Sequence, residues 1–367
     1  MSSMGEFFSR HWLSHLRTER VENGVSRALS ALKNAGIRLK GRLERCCERL
    51  FGKRNQELPE LSPPYKITRL VLGFSAFVAI DAAEFHAIRD AKRRLMFGMG
   101  LEEKLDLVLE NYSELERDLL NMALEHSIFQ GKIDSLLDGG THLVNRRIAK
   151  LLTTARLYLD QVLHNVSEIY GKNSESYDSI KKATNEEYDS VLGYRVMEAL
   201  RNHAQHRSLP THGISFPVNR DESSDPPNIR FRVVPSVDVA ALEDDPKFKK
   251  QVLEELLAIA DKNNFVNLMP FVRQYAESLG RIHEKVRDVT ATNLGAADEL
   301  IATYREKAAN AFGPNLAGLI AVECDEQGVH EDREHLIDRP TKRRKDIARK
   351  NQRVGSISSR YISSSSA

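Results

Sequence analysis

Cysteine is scarce in this chain: Cys46, Cys47 and Cys324 are the only three in 367 residues. Adjacent Cys46 and Cys47 are badly placed to bridge each other, so no disulfide framework is implied and a reducing compartment is expected. Long apolar runs are missing too. The most apolar stretch, Leu70 to Ile80, stops at Asp81, far short of the roughly 20 residues a helix needs to cross a bilayer. The first residues lack the basic-then-apolar order of a signal peptide, so a cytoplasmic protein without a membrane partner is expected. Several phosphate and metal signatures are also absent. Gly139-Gly140-Thr141 has no lysine to reach a phosphate, and Gly98-Met99-Gly100 lacks the third glycine of a dinucleotide fingerprint. Neither His-x-x-x-His with an intervening Glu nor Cys-x-x-Cys occurs. These gaps disfavour a P-loop enzyme, a Rossmann oxidoreductase and a zinc finger, and no cofactor or metal is expected.

What is present is a globular composition, 41% hydrophobic and 29% charged. The formal net charge of +2 hides an uneven distribution. Residues 1–54 carry twelve Lys/Arg against five Asp/Glu, and residues 339–360 carry nine against Asp346 alone, so the middle of the chain is acidic. Basic ends around an acidic middle can attract an anionic polymer or fold back on that middle; the second reading is favoured, because charge runs are usually solvated faces.

The apolar spacing predicts a mainly all-α fold, a helical bundle with long antiparallel helices and at most a minor two-stranded β element. Residues 1–62 read as a basic helical segment ending in a proline-rich linker around Pro59, Pro63 and Pro64. A helix is expected over about Ile67 to Met96, broken by Gly98 and Gly100. Leu101, Leu105, Val108, Tyr112, Leu115, Leu119, Met122, His126 and Phe129 then form a heptad seam, with His126 as a core or groove-edge residue. After Gly139-Gly140 a second seam follows at Ile148, Leu152, Ala155, Leu159, Val162, Val166 and Ile169, and the pair suggests a helical hairpin. A third helix is expected from Ser174 or Ser176 to His206, stopped by Pro210. Residues 208–227 read as a long loop. Asp245-Pro246 looks like a helix start, and two further helices are expected over about Met269 to Val289 and Leu294 to Phe312. Strands are expected near 229–234 and 316–323, paired with each other. The bundle is thus expected over 63–338. Residues 339–367, basic then serine-rich, are expected to stay unordered; their cations suit either RNA-backbone contact or a solubilising tail.

The segment able to carry chemistry is Val196 to His206. Asn202 and His206 are four apart and so neighbours on one helical face, with Glu198 a turn earlier and Arg201 about 100° around the axis. A histidine titrating near neutrality can move the proton of a ribose 2′-hydroxyl or of the leaving oxygen. An arginine can clamp the scissile phosphate. Asparagine can orient either group without titrating. His203 and His206 could share a metal with Glu198 or His212, a thin alternative without a fixed third ligand.

The string LRNHAQH, Leu200 to His206, resembles the signature of the HEPN superfamily, all-α domains with Arg, a polar residue and then His late in a bundle helix. Arg201, Asn202 and His206 match that motif one by one. The resemblance implies a metal-independent endoribonuclease, often a toxin or phage-defence effector, with its site formed where two such helices meet in a homodimer. One subgroup carries Tyr two positions after the His; here Ser208 stands there. The alternatives are a catalytically inactive HEPN-like RNA-binding protein and a non-enzymatic helical scaffold built on the two heptad seams.

Overall fold

The β-strands account for most of what the periodicity does not predict. The computed structural model describes residues 63–129, 133–223, 226–360 and 362, and the chain divides after Ser62 into two units. The expectations for residues 1–62 lie outside the described residues. Eight α-helices and nine strands in three antiparallel sheets make up the described chain. The fold is therefore mainly helical, but a minor two-stranded element understates its β content.

The expected helix over Ile67 to Met96 is replaced by a strand, an irregular turn and a later helix start. Strand β1, Tyr65–Arg69, pairs with β2, Val78–Ala79, and with β8, Leu319–Cys324, whose other edge carries β9, His330–His335. Both expected strands near 229 and 319 exist, but they do not pair with each other. Strand β5, Asn228–Phe231, pairs with β4, Val218–Asp221. A third sheet orders β3, Gly213–Ser215, beside β6, Val234–Asp238, and then β7, Phe265–Asn267. The expected loop 208–227 thus holds two short strands.

Helix α1, Ala82–Ile128, begins at a capping box. The Asp81 carboxylate accepts from the Glu84 amide at 2.7 Å, and the Glu84 carboxylate accepts from the Asp81 amide at 3.0 Å. It runs straight through Gly98 and Gly100. At Gly98 an added Cβ would lie 2.7 Å from a Leu294 methyl, so this glycine permits close packing rather than ending the helix. Helix α2, Ile133–Tyr170, likewise contains Gly139 and Gly140, and Gly140 makes room for Ile214 and Met122. The heptad seams turn inward, with Leu105, Val108 and Leu115 in one buried core with Ile148, Leu152 and Ala155, but the first seam is buried only as far as Met122, and Phe129, 49% exposed, lies past the helix end. Between the two helices Asn111 donates to Thr154 and Arg147 donates to Asp118.

The expected third helix is two. Helix α3, Glu175–Ser190, is capped by Ser174, and α4, Leu192–His206, begins after an extended Val191. Helix α5, Val239–Glu243, and α6, Lys250–Leu257, follow β6. Asp245-Pro246 starts neither; its carboxylate is drawn away to other partners. Helix α7, Met269–Phe312, is continuous where two helices were expected. Thr290, in the apparent gap, is buried with its hydroxyl donating to the Val286 carbonyl at 2.8 Å, so its polar atom is satisfied within the helix. Gly313 ends the helix at φ 83°.

Residues 339–350, expected to stay unordered, form helix α8, Arg339–Lys350. Its apolar surface is indeed small: Ile347 is its main buried side chain, with Val354 buried beyond it. Ion pairs supply the rest. Arg344 reaches Asp298 at 2.6 Å, Lys350 reaches Asp106 at 2.8 Å and also pairs with Glu110, and Arg343 reaches Glu103 at 3.4 Å. The basic C-terminal stretch folds back on the acidic middle. Among the described residues, no helix is long and apolar enough to cross a membrane.

Candidate functional site

Helix α4 owes its orientation to contacts at its first turn. Gly193 donates its amide to the Gln274 side chain at 3.0 Å, and a Cβ there would lie 2.6 Å from Gln274 and 3.0 Å from the Phe271 carbonyl. Arg195 donates to the carbonyls of Tyr188 and Asp189 at the end of α3 and pairs with Glu255 at 2.8 Å. Such a cation satisfies the unpaired carbonyls that every helix end leaves. The apolar face of Val196, Met197, Ala199 and Leu200 is buried against the core, which fixes the opposite face toward solvent.

That face carries the three sequence-derived residues, and it treats them differently. Asn202 and His206 are exposed, and no described residue hydrogen-bonds or pairs with either side chain. Arg201 is held back. Its guanidinium donates to Gln205 at 3.1 Å and pairs with Glu198 at 3.4 Å; the side chain is only 15% exposed, and its Nε is buried without a partner. Glu198 in turn accepts from the Tyr275 hydroxyl at 2.6 Å. The structure therefore leaves Asn202 and His206 open to solvent one turn apart on α4 and turns the Arg201 guanidinium to Glu198 and Gln205.

His203 is a core residue. It is buried, with Nδ1 2.9 Å from the Asp245 carboxylate and Nε2 without a partner. The bond to His203 holds the Asp245 carboxyl below its ordinary range against the effect of burial, helped by the Lys247 amide and Arg207. His212 is pushed down by burial and accepts the Asp238 amide on Nδ1 at 3.1 Å, so it stands neutral at pH 7. Among the described residues, no group of three or more His, Cys, Asp or Glu side chains is placed to hold a metal. His126 sits edge-on between Phe216 and Phe231.

Sequence reasoning missed the cavity beside this face. A hollow of about 540 Å³ opens between α2, α3 and α4, walled by Tyr177, Tyr188 and Tyr194 with His164, Lys172 and Glu198. Its size falls in the range of small-ligand pockets, about 300–1,000 Å³. Tyr194 stacks edge-on against Tyr188 and Tyr275, and burial, reinforced by Glu198, pushes its hydroxyl up so that it stays protonated. Tyr177 and Tyr188 lie about three turns apart on one face of α3, and the break at Val191 brings Tyr194 of α4 to the same hollow.

A second cavity of about 190 Å³ lies beneath α8, bordered by Glu102, His283, Arg287 and Arg344. There Arg287 donates to both Glu102 oxygens, at 2.8 and 2.7 Å, and the Tyr158 hydroxyl meets His283 Nδ1 at 3.1 Å. Burial pushes the Glu102 carboxyl up, but the bonds from Arg287 and His283 outweigh it and bring it to about 2. Compared with known proteins, the chain matches no family model, no curated protein and no solved structure.

Proposed function

We propose that this chain is a HEPN-like, metal-independent endoribonuclease of the cytoplasm, built on a bundle of long antiparallel helices and acting as a homodimer in a toxin or phage-defence role. The observation that carries the reading is the exposed, unbonded pair Asn202 and His206, one helical turn apart, with the Arg201 guanidinium beside them. An imidazole open to solvent and without a protein partner is free to exchange a proton with a bound substrate. His206 takes the proton of a ribose 2′-hydroxyl as its oxygen attacks phosphorus. The bond from phosphorus to the 5′-oxygen breaks, and a protonated imidazole from the second copy supplies the proton to that leaving oxygen. Arg201 neutralises charge on the phosphate once it exchanges Glu198 for the substrate, and Asn202 orients the phosphate or the ring.

The test is RNA cleavage in EDTA by the wild type, His206→Ala and Arg201→Ala, with melting temperatures measured in parallel. Removing a general acid-base group lowers the rate by about 10²–10⁴-fold, and removing one charge-stabilising donor by about 10²–10³-fold. Absence of cleavage by a folded, dimeric wild type ends the enzyme reading. A second reading, RNA binding without cleavage, is favoured by one feature: the guanidinium is already held by Glu198 and Gln205. It expects RNA retention that survives His206→Ala.

A further inference from the structure

We propose that the tyrosine-walled cavity between α2, α3 and α4 is a base-recognition subsite that takes one unpaired nucleobase of the RNA strand. Its link to cleavage rests on the nuclease reading; its ability to bind a nucleotide does not.

Three observations converge. The first is the spare hydrogen-bonding capacity of the walls. Tyr194 is only 2% exposed yet lines the hollow, and its hydroxyl makes no hydrogen bond to any described residue. The Tyr177 hydroxyl and the His164 ring likewise bond to no described residue. These polar atoms border the hollow and are free to bond an occupant with donors and acceptors around a flat edge. The second is the aromatic lining itself. Tyr177 of α3, half-buried in the wall, offers a π face, and stacking on such a face holds bases of any sequence, with a contribution of about 1–3 kcal/mol, whereas Tyr188 is covered by Lys249 and Tyr194 is packed between Tyr188 and Tyr275. The third is charge. Glu198 is neutralised by Arg201, and Asp160 by Arg156 at 2.6 Å, which leaves Lys172 as the unpaired charge at the rim. The spare charge is positive, as a phosphodiester requires.

The position of the cavity along α4 fits a strand running from it to the exposed face. Glu198 lines the hollow and bonds Arg201, three residues on. His206 lies eight residues beyond Glu198, a rise of about 12 Å, comparable to one or two nucleotide steps of an extended strand. A base seated on Tyr177, with its edge toward the Tyr194 hydroxyl, thus places its downstream phosphate toward Arg201.

The experiment is calorimetric titration of the full-length protein with each of the four nucleoside monophosphates and with inorganic phosphate. We expect at least one nucleotide to bind saturably, with phosphate alone at least tenfold weaker. Tyr177→Ala and Lys172→Glu, both at partly or fully exposed positions, each weaken that nucleotide by tenfold or more, while Tyr177→Phe weakens it less than Tyr177→Ala. Binding of none of the four, equal binding of phosphate, or indifference to both variants overturns the subsite. RNA cleavage is followed in parallel to keep the two claims apart. Cleavage by a wild type that binds no nucleotide sinks the subsite and spares the nuclease. Nucleotide binding without cleavage does the reverse, and His206→Ala is expected to lose cleavage while still binding the nucleotide.

Discussion

Glu198 is the residue on which the proposed site turns. It accepts from Tyr275 on one oxygen and holds Arg201 on the other, and it forms part of the cavity wall. Both side chains are largely buried and the pair is long, at 3.4 Å; a phosphodiester can displace it by offering the guanidinium a bidentate partner. Glu198→Gln keeps an acceptor for Tyr275 but releases the guanidinium. The expected result is a rise in RNA affinity or kcat/KM of up to about fivefold, measured on a labelled RNA. A loss of more than tenfold would mean that Glu198 itself takes part in the chemistry. His203 belongs to a different system, because its buried bond to Asp245 ties α4 to the segment before α6. Breaking a buried hydrogen-bonded pair by removing one partner costs about 3–5 kcal/mol. His203→Ala is therefore expected to lower stability, read by urea denaturation, whereas His206→Ala leaves the denaturation midpoint unchanged.

At the scale of elements, two close approaches and one set of ion pairs decide where α4 and α8 sit. Gly193→Ala pushes a methyl into Gln274 and the Phe271 carbonyl, and overpacking of this kind costs about 1–3 kcal/mol. The check is a denaturation midpoint lowered without loss of helical content. Helix α8 is fastened by ion pairs, of which Arg344 with Asp298 is largely buried while Arg343 with Glu103 and Lys350 with Glu110 are exposed; salt screens the exposed ones, with a Debye length of about 8 Å at physiological strength and about 3 Å at 1 M. Hydrogen exchange in α8 is expected to accelerate between 0.1 and 1 M salt, while α1 and α2 stay protected; equal protection at both strengths would contradict an ionic attachment. What the sequence did and did not disclose follows the same physics. The two heptad seams were legible, because Leu105 to Met122 and Ile148 to Ile169 must bury a stripe at helical spacing. Glycines misled, since Gly98 and Gly140 look like breaks but serve close packing. The box Asp81 to Glu84 marks the true start of α1, and the apolar run before it belongs to a turn and β2. The order of α8 was illegible because its partners, Asp106, Glu110 and Asp298, lie far away in sequence. At the site, the segment and the exposure of Asn202 and His206 could be read from amphipathicity. The clasp on Arg201 and the tyrosine cavity depend on tertiary packing that no local pattern announces.

On the scale of the whole molecule, a buried polar chain crosses the core from α2 through α7 to α1. Burial keeps the Tyr158 hydroxyl protonated, so it donates to His283 Nδ1, and the other ring nitrogen lies 3.2 Å from Glu102. Burial also pushes His283 below its ordinary value of 6.5, against the pull of Glu102, so folding favours the neutral ring. A group whose folded pKa is depressed contributes stability that is full above its unfolded value and is lost as the pH falls. Stability is thus expected to decline as the pH falls below 6.5 through His283, joined by His212, His330 and His335, which burial also pushes down. A further decline is expected between 4.5 and about 2 through Glu102. Melting temperatures across that range check the profile, and His283→Gln should flatten its upper part.

The nuclease itself is tested most directly by the ends of the RNA fragments it makes. Attack by a ribose 2′-oxygen under His206 and Arg201 leaves a 2′,3′-cyclic phosphate or 3′-phosphate on one fragment and a 5′-hydroxyl on the other. The account predicts these ends from wild-type protein in EDTA and their disappearance with His206→Ala at unchanged melting temperature. Fragments bearing 3′-hydroxyl and 5′-phosphate ends, or cleavage that persists undiminished in His206→Ala, would contradict it.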